Sequence, residues 1–478
     1  MSIKYPAALC RTGGLMTVIG IIAEYNPFHN GHAYQIESIR RQTNADYIVV
    51  AMSGDFVQRG APALIDKYAR ARMALSCGAD LVVELPAIWS VSSAEAFAEA
   101  GISLFEQMGC VDGICFGAES DRLPLLKQIA AFLTEEPSSY QNLLSSYLKE
   151  GFSFPAARAK ATADCLCADA PNAAAIHAIL CEPNNILAIE YLKALTRRDS
   201  KILPYLIKRE GAGYHESKIR TSVTSPVGQQ APAASPTQPP TASATAIRRL
   251  LLSGNDDAAA PALAHAMPQE ALSILGDYLH HAPLLTENDF SAALCYLLFT
   301  STKEQLARLA DSNADIASRI FKNRFQAASV SGLCAVNKSR DVTYTRISRI
   351  LFHLLLQITK DDIQLAKDAG YVPYLRLLGF RKDSAALLSE LKRHALVPLI
   401  SKLADASKLL APSSLAVLEK DIFAANLYEQ TRFLKQQATS FAGRSYVKQN
   451  SGHPAVGDAR LSEQMTLREE YTRKLVVI

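Results

Sequence analysis

Four short apolar runs recur in the first quarter of the chain, each closing on turn residues: TVIGIIAEYN (17–26), YIVVAMSG (47–54), LVVELP (81–86) and DGICFGAE (112–119). Between them lie stretches of helical periodicity, GHAYQIESIRRQ, IDKYARARMALSCG and SSAEAFAEAGISLFEQMG. This alternation leaves few folds open. A strand without a polar face must be covered on both sides, and a helix between two strands returns the chain for parallel pairing. The expected class is α/β with a parallel sheet, whose ligands bind at the carboxyl ends of the strands.

Further along, residues 121 to 197 read as helical, with NNILAIEYLKAL the clearest amphipathic run, and KILPYLIKRE (201–210) reads as another strand. Residues 222–242, SVTSPVGQQAPAASPTQPPTA, carry no charge and little apolar surface to offset ordering entropy, so a disordered loop is expected there. From 243 onward the pattern is almost entirely helical, as in SATAIRRLLLSG, RISRILFHLLLQIT and SSLAVLEKDIFAANLYEQTRFLKQQ. There is no internal repeat.

A chain of 478 residues allows two or three domains, and its 49% apolar and 20% charged composition is that of a soluble globular protein. A formal charge of +4 is too small to mark a nucleic-acid binder by itself. The nine cysteines are scattered without C-x-x-C pairs, which points to reduced thiols in a cytoplasmic protein rather than a disulfide framework or a zinc site. No apolar stretch approaches the roughly 20 residues needed to span a bilayer, so no membrane association is expected. Residues 1–15 lack the apolar core of a signal peptide, and Met16 opens directly on the first strand. They read as a dispensable extension.

The stretch VIGIIAEYNPFHNGH places His29 and His32 where the first strand turns into a helix. With the helix starting near Asn30, both side chains lie on one face of its first turn. The helix start offers free N–H groups and positive dipole to an anion, and Gly31 removes a Cβ where a phosphate must approach. Two imidazoles there can donate hydrogen bonds to a phosphate as charge builds in an in-line displacement. The alternatives are a turn in which one histidine caps the helix, or half of a metal site, for which no third ligand stands nearby.

SATAIRR (243–249) is a second anion signature: Ser243 or Thr245 can cap a helix while Arg248 reaches back to its start. In MSGDFVQRG, Asp55, Gln58 and Arg59 either project from the ligand-binding edge or belong to an ordinary polar loop. Glu84 stands at another strand end, as a site residue or a helix-cap acid. Gly117 lets a nucleotide lie against the backbone or is a turn glycine. Between Arg319 and Arg349 there are seven basic residues against one acid, and KSRDVTYTRISR interleaves Tyr344 with cations. That suits phosphate contacts and base stacking, or a solvated helix face.

Taken in order, VIGIIAEYNPFHNGH, MSGDFVQRG, DLVVELP, CFGAES, PNNILAIEYLKAL, IKREGAGYH, SATAIR and YTRISRILFHLLL resemble the bacterial tRNA(Met) cytidine acetate ligase family, nearly end to end from Met16. H-x-G-H alone is shared across the nucleotidyltransferase superfamily. The resemblance implies a Rossmann-like nucleotidyltransferase domain (16–221), followed after the 222–242 insert by a mainly helical, tRNA-binding region with the phosphate-clamp helix at its start (243–478). It implies ATP as substrate, with Mg²⁺ accompanying it, and activation of acetate as acetyl-adenylate. The acetyl group then passes to N4 of the wobble cytidine of elongator tRNA(Met). The implied ATP site comprises Ile22, Ala23, Glu24, Tyr25, Asn26, Pro27, Phe28, His29, Asn30, Gly31, His32, Ala33, Tyr34 and Gln35. It is completed by Gly117, Asn184 (or Asn185) and Arg209, with His29 and His32 catalytic and Ser243, Thr245 and Arg248 as the phosphate clamp.

The basic stretch puts Arg340, Tyr344, Arg346 and Arg349 forward as tRNA contacts. No resident metal and no stable protein partner are expected. Two features depart from the family pattern: the 222–242 insert, in a connection expected to be short, and the extension 1–15. The rival readings are a small-molecule adenylyl- or cytidylyltransferase, against which the long helical region speaks, and a non-catalytic tRNA- or nucleotide-binding module.

Overall fold

The computed structural model describes residues 16–166, 170–209, 242–253, 256–450 and 469–478. The extension 1–15 and residues 222–241 of the expected disordered loop lie outside them. Each expected strand forms: β1 (Val18–Ala23), β2 (Tyr47–Ser53), β5 (Leu81–Leu85), β6 (Gly113–Ala118) and β7 (Leu203–Lys208). A short hairpin, β3 (Phe56–Val57) and β4 (Ala61–Pro62), rises from the stretch after β2.

The main sheet runs β5-β2-β1-β6-β7 in parallel, with Ile19 opposite both Ile48 and Gly113. Strand order therefore reverses at β1, and a crevice opens beyond the carboxyl ends of β1 and β6. Alternation along the strands feeds two cores. Val18, Val49 and Ala51 pack on the side of Phe105 and Trp89, while Ile19, Ile21, Ile48 and Val50 face Ile36, Ile39 and Leu75. The covering helices start on local caps: Asp66 accepts the Ala69 N–H for Lys67–Ser76, and Ser93 accepts that of Ala96 for Ala94–Met108.

The region beyond 243 is mainly helical, but it also supplies β8 (Leu375–Phe380), β9 (Leu399–Ile400) and β10 (Val476–Val477) to the same sheet. β8 pairs antiparallel with β5, and β9 and β10 run parallel to β8. LRLLGF is a six-residue apolar run, a length at which periodicity does not separate strand from helix.

A buried ionic cluster fastens this edge. The Lys67 ammonium lies 2.8 Å from Glu84 and 2.7 Å from Glu470, and Arg376 lies 3.1 Å from Glu470. Tyr68 donates to Glu470 at 2.9 Å, and Tyr374 donates to Asp421 at 2.6 Å. Glu84 is thus the strand-end member of this cluster, paired with Lys67. Burial among neighbouring acids raises its pKa to about 7 despite Lys67.

Candidate active site

β1 ends at Ala23, the backbone turns through Tyr25 at φ 47°, and six residues separate the strand from the helix Asn30–Thr43. That φ is rare for a bulky residue. The buried Tyr25 ring packs 4.8 Å from the rings of both Phe28 and His32, which holds the turn. Arg70, fully buried, donates to the carbonyls of Glu24, Ser53, Gly54 and Ile65, so one guanidinium ties together the ends of β1 and β2. No motif announced Arg70. A cation inside an amphipathic helix was the only signal it gave.

The two histidines form a reciprocal helix cap. His29 is the N-cap and its Nδ1 accepts the Gly31 N–H at 3.1 Å, while Nδ1 of His32 accepts the His29 N–H at 3.2 Å. The rings stack with centroids 3.7 Å apart and planes inclined by 25°. A Cβ on Gly31 would meet Cε1 of His29 at 3.0 Å, so the glycine makes room for the imidazole itself. Because both Nδ1 atoms accept, each neutral ring carries its proton on Nε2. No described residue takes up either Nε2.

Burial, then the positive charge of Arg209 and Arg248, lowers the His29 pKa to about 3. Burial, His29 and Arg209 likewise hold His32 well below the ordinary imidazole value. The capping and phosphate readings are therefore not rivals: one nitrogen of each ring caps, and the other remains as a donor.

Other residues of the implied ATP site are held by contacts to neighbouring elements. Asn30 donates to the His265 carbonyl at 2.8 Å, and Gln35 reaches the Cys115 carbonyl at 3.4 Å. The Asn26 side chain accepts the Leu64 N–H at 2.8 Å. Gly117 lies within β6, and a Cβ there would meet Cγ of Arg209 at 3.2 Å. The missing side chain makes room for an arginine at the end of the neighbouring strand.

Glu119, which the motifs did not single out, joins two of these parts. It accepts from the Asn184 amide at 2.6 Å and from the Asn185 N–H at 2.9 Å, while Asn185 turns back to the Ser120 N–H at 2.9 Å. Asn184 thus sits at the start of the helix Pro183–Arg197, tied to the residue that follows β6, and Asn185 is buried.

The clamp residues arrive from far along the chain. Ser243 caps the helix Ala244–Leu251, and Arg248 donates to the Asn26 carbonyl at 2.7 Å and to Thr245 Oγ1 at 3.0 Å. Glu24 accepts the Gln58 N–H at 2.9 Å, and Gln58 donates to the Ser92 carbonyl at 3.0 Å. Asp55 instead turns inward, where its carboxylate accepts the Lys67 N–H at 2.8 Å. Desolvation lowers the pKa of Arg59, Arg209 and Arg248 alike, and Arg59 and Arg248 also repel one another. Arg209 and Arg248 thus bring positive charge onto the histidine end of this crevice. Among the described residues no group of three His, Cys, Asp or Glu is placed to hold a metal ion.

The four residues put forward for RNA divide. Arg340 is exposed beside Gly151, and Tyr344 is 37% exposed at the start of the helix Tyr344–Leu355. Arg346 donates twice to the Asp311 carbonyl, each at 3.1 Å, and Arg349 pairs with the Asp311 carboxylate. Ser348, between them, donates to the Gly60 carbonyl at 2.6 Å, which docks this helix on the β3–β4 hairpin.

The switch-point crevice and the strand-to-helix histidine pair, with positive charge beside it, are the marks of a nucleotidyltransferase. The family model described as HIGH Nucleotidyl Transferase matches residues 16–441. The tRNA(Met) cytidine acetate ligase of Acetivibrio thermocellus is 37% identical over 415 residues, covering 86% of this chain and 94% of that protein. Its counterpart in Alkaliphilus metalliredigens is 36% identical over 423 residues, again covering 86% and 94%. The chain belongs to the tRNA(Met) cytidine acetate ligase family. The crystal structure of Thermotoga maritima TmcAL bound with alpha-thio ATP matches with a TM-score of 0.76 at 27% identity, covering 87% of this chain and 95% of that one. No helix among the described residues is long and apolar enough to cross a membrane.

Proposed function

We propose that the protein activates acetate with ATP and transfers the acetyl group to N4 of the wobble cytidine of elongator tRNA(Met). The observation that carries the first step is the committed tautomer of His29 and His32, which leaves two neutral Nε2–H donors side by side at a helix start. In this reading they hold α-phosphate oxygens while Arg248 and Thr245 clamp the β- and γ-phosphates. Gly117, Asn184 and Arg209 bound the nucleoside side. Mg²⁺ accompanying the nucleotide as part of the substrate would supply charge neutralisation to the pyrophosphate.

An acetate oxygen attacks the α-phosphorus in line. The new C(O)–O–P bond forms as the bond to the β-phosphate bridging oxygen breaks, and pyrophosphate leaves with the electron pair. The charge that builds on the α-phosphate oxygens is met by preorganised donors, so no protein nucleophile is needed. In the second step the cytidine amine attacks the acyl carbon, AMP leaves and the amine gives up a proton. Arg340 and Tyr344, on the exposed side of the helical region, contact the RNA. Arg346 and Arg349 support them by fixing Asp311.

The family relatives, the ATP-analogue-bound structural neighbour and the site chemistry support this reading together. Incubation with labelled acetate, ATP and tRNA, followed by digestion to nucleosides, tests it. Label in N4-acetylcytidine is expected. Label in any other nucleoside, or acetate-independent pyrophosphate release, overturns it.

A further inference from the structure

The helix Ser291–Thr300 holds Tyr296 and Phe299 in solvent, 68% and 54% exposed, one turn apart and so on one face. Phe325, 68% exposed, stacks on Phe299 with ring centroids 5.1 Å apart and planes inclined by 20°. The Arg324 guanidinium lies 3.7 Å from the Phe321 ring centroid and 4.5 Å from that of Phe325, and the Lys303 ammonium stands 5.5 Å from Phe321. A single exposed phenylalanine needs no explanation. A contiguous exposed stack rimmed by cations marks an interaction surface.

The cations around it are held in no close ion pair. Elsewhere in the helical region Arg308 pairs with Asp361, Arg349 with Asp311 and Lys420 with Asp362. Among the described residues Lys303, Lys322 and Arg324 make no ion pair; Arg324 Nη1 donates to the Phe321 carbonyl, while its buried Nε has no hydrogen-bond partner. The surface therefore offers flat π faces and calls for negative charge. A second copy of the chain would bring the same cations against these, so like charge disfavours it. A duplex hides its base faces inside its own stack, whereas unpaired bases expose them next to phosphates.

We propose that Tyr296, Phe299 and Phe325, flanked by Lys303, Lys322 and Arg324, form a stacking platform for unpaired bases of the RNA substrate. The platform uses none of the residues assigned to the nucleotide site, nor Arg340 and Tyr344. It rests on the reading that the substrate is a tRNA, whose loops present such bases.

The test uses the full chain with both phenylalanines changed, Phe299→Leu with Phe325→Leu, which keeps apolar bulk and removes the π face. A second variant carries Trp at both positions. Binding is measured to tRNA, to a stem–loop RNA with 2-aminopurine in its loop, and to a blunt duplex. The Leu variant is expected to bind tRNA and stem–loop about tenfold more weakly, with loss of 2-aminopurine quenching. Duplex affinity should stay unchanged, and the Trp variant should restore quenching. Unchanged stem–loop affinity and quenching in the Leu variant overturns the platform, as does an equal loss on the duplex. A change in sedimentation without a change in RNA affinity overturns it too, by making the patch a self-association surface. If the wild-type protein shows platform-dependent loop binding but forms no acetylcytidine, the proposed function fails and the platform stands.

Discussion

The Nδ1 of His32 accepts the backbone N–H of His29 at 3.2 Å while the two rings stack 3.7 Å apart. The spacing of three is therefore a capping spacing. It places the histidines at the N-cap and N3 positions, and the cap in turn sets which nitrogen of each ring faces outward.

Capping and donation can be separated at His29. Asparagine is a strong N-cap but lacks the outward Nε2–H. His29→Asn is expected to lower acetate-dependent pyrophosphate exchange by about 10²-fold or more, the cost of losing one preorganised donor. Its urea midpoint at neutral pH should stay near that of the wild type. His32→Ala should abolish exchange while leaving tRNA affinity nearly unchanged, and wild-type exchange in either variant would remove the assigned role.

The same pair predicts a pH dependence of stability. A histidine held neutral at a folded pKa of about 3 takes up no proton near pH 5, whereas the unfolded chain does so below its ordinary value of 6.5. The unfolded state then binds more protons, and stability falls as pH drops from 6.5 toward 3. The raised carboxyl of Glu84 works in the opposite sense, gaining stability as pH falls from 7. The wild-type slope alone is thus not diagnostic, but the difference from a variant is. Between pH 7 and pH 5 the wild type should lose about 2 kcal/mol more than His29→Asn in urea unfolding. Parallel curves would count against a buried neutral His29.

Arg248 spans 222 positions of sequence to reach the Asn26 carbonyl, and Thr245 takes its second hydrogen-bonding arm. Arg248→Lys keeps the charge but cannot make both contacts. It should raise the KM for ATP about tenfold, the loss of roughly one charge-assisted hydrogen bond. The KM for tRNA should be unaffected, and a reversed pattern would move Arg248 out of the phosphate clamp.

Lys67 is the central cation among Glu84, Glu470 and Asp55, 2.8, 2.7 and 3.9 Å away. Lys67→Met leaves carboxylates buried without their partner, a change expected to cost about 3–5 kcal/mol. Denaturant unfolding should show this as a lowered midpoint, and a midpoint within error of the wild type would show that Arg376 alone suffices.

Legibility followed sequence distance. The five parallel strands, the histidine pair and the helix behind SATAIRR were readable because each is set within a few residues by apolar pattern, caps and turn chemistry. β8 was missed because LRLLGF is too short for periodicity to speak. Glu119 and Arg70 were missed because their work is done on groups of other elements, which leaves no local mark. The basic run at 319–349 suggested RNA contact, yet Arg346 and Arg349 turn to Asp311, an acid that lies before the run.

By itself the sequence determined an α/β chain with two imidazoles at the end of its first strand, since strand, turn and cap are all local. Tertiary structure decided that the charges of Arg209 and Arg248, from far along the chain, bear on the buried His29. It also decided that Lys67 and Glu470 meet inside the molecule. Those outcomes depend on which groups lose water together, and desolvation is a property of the packed fold rather than of any one segment.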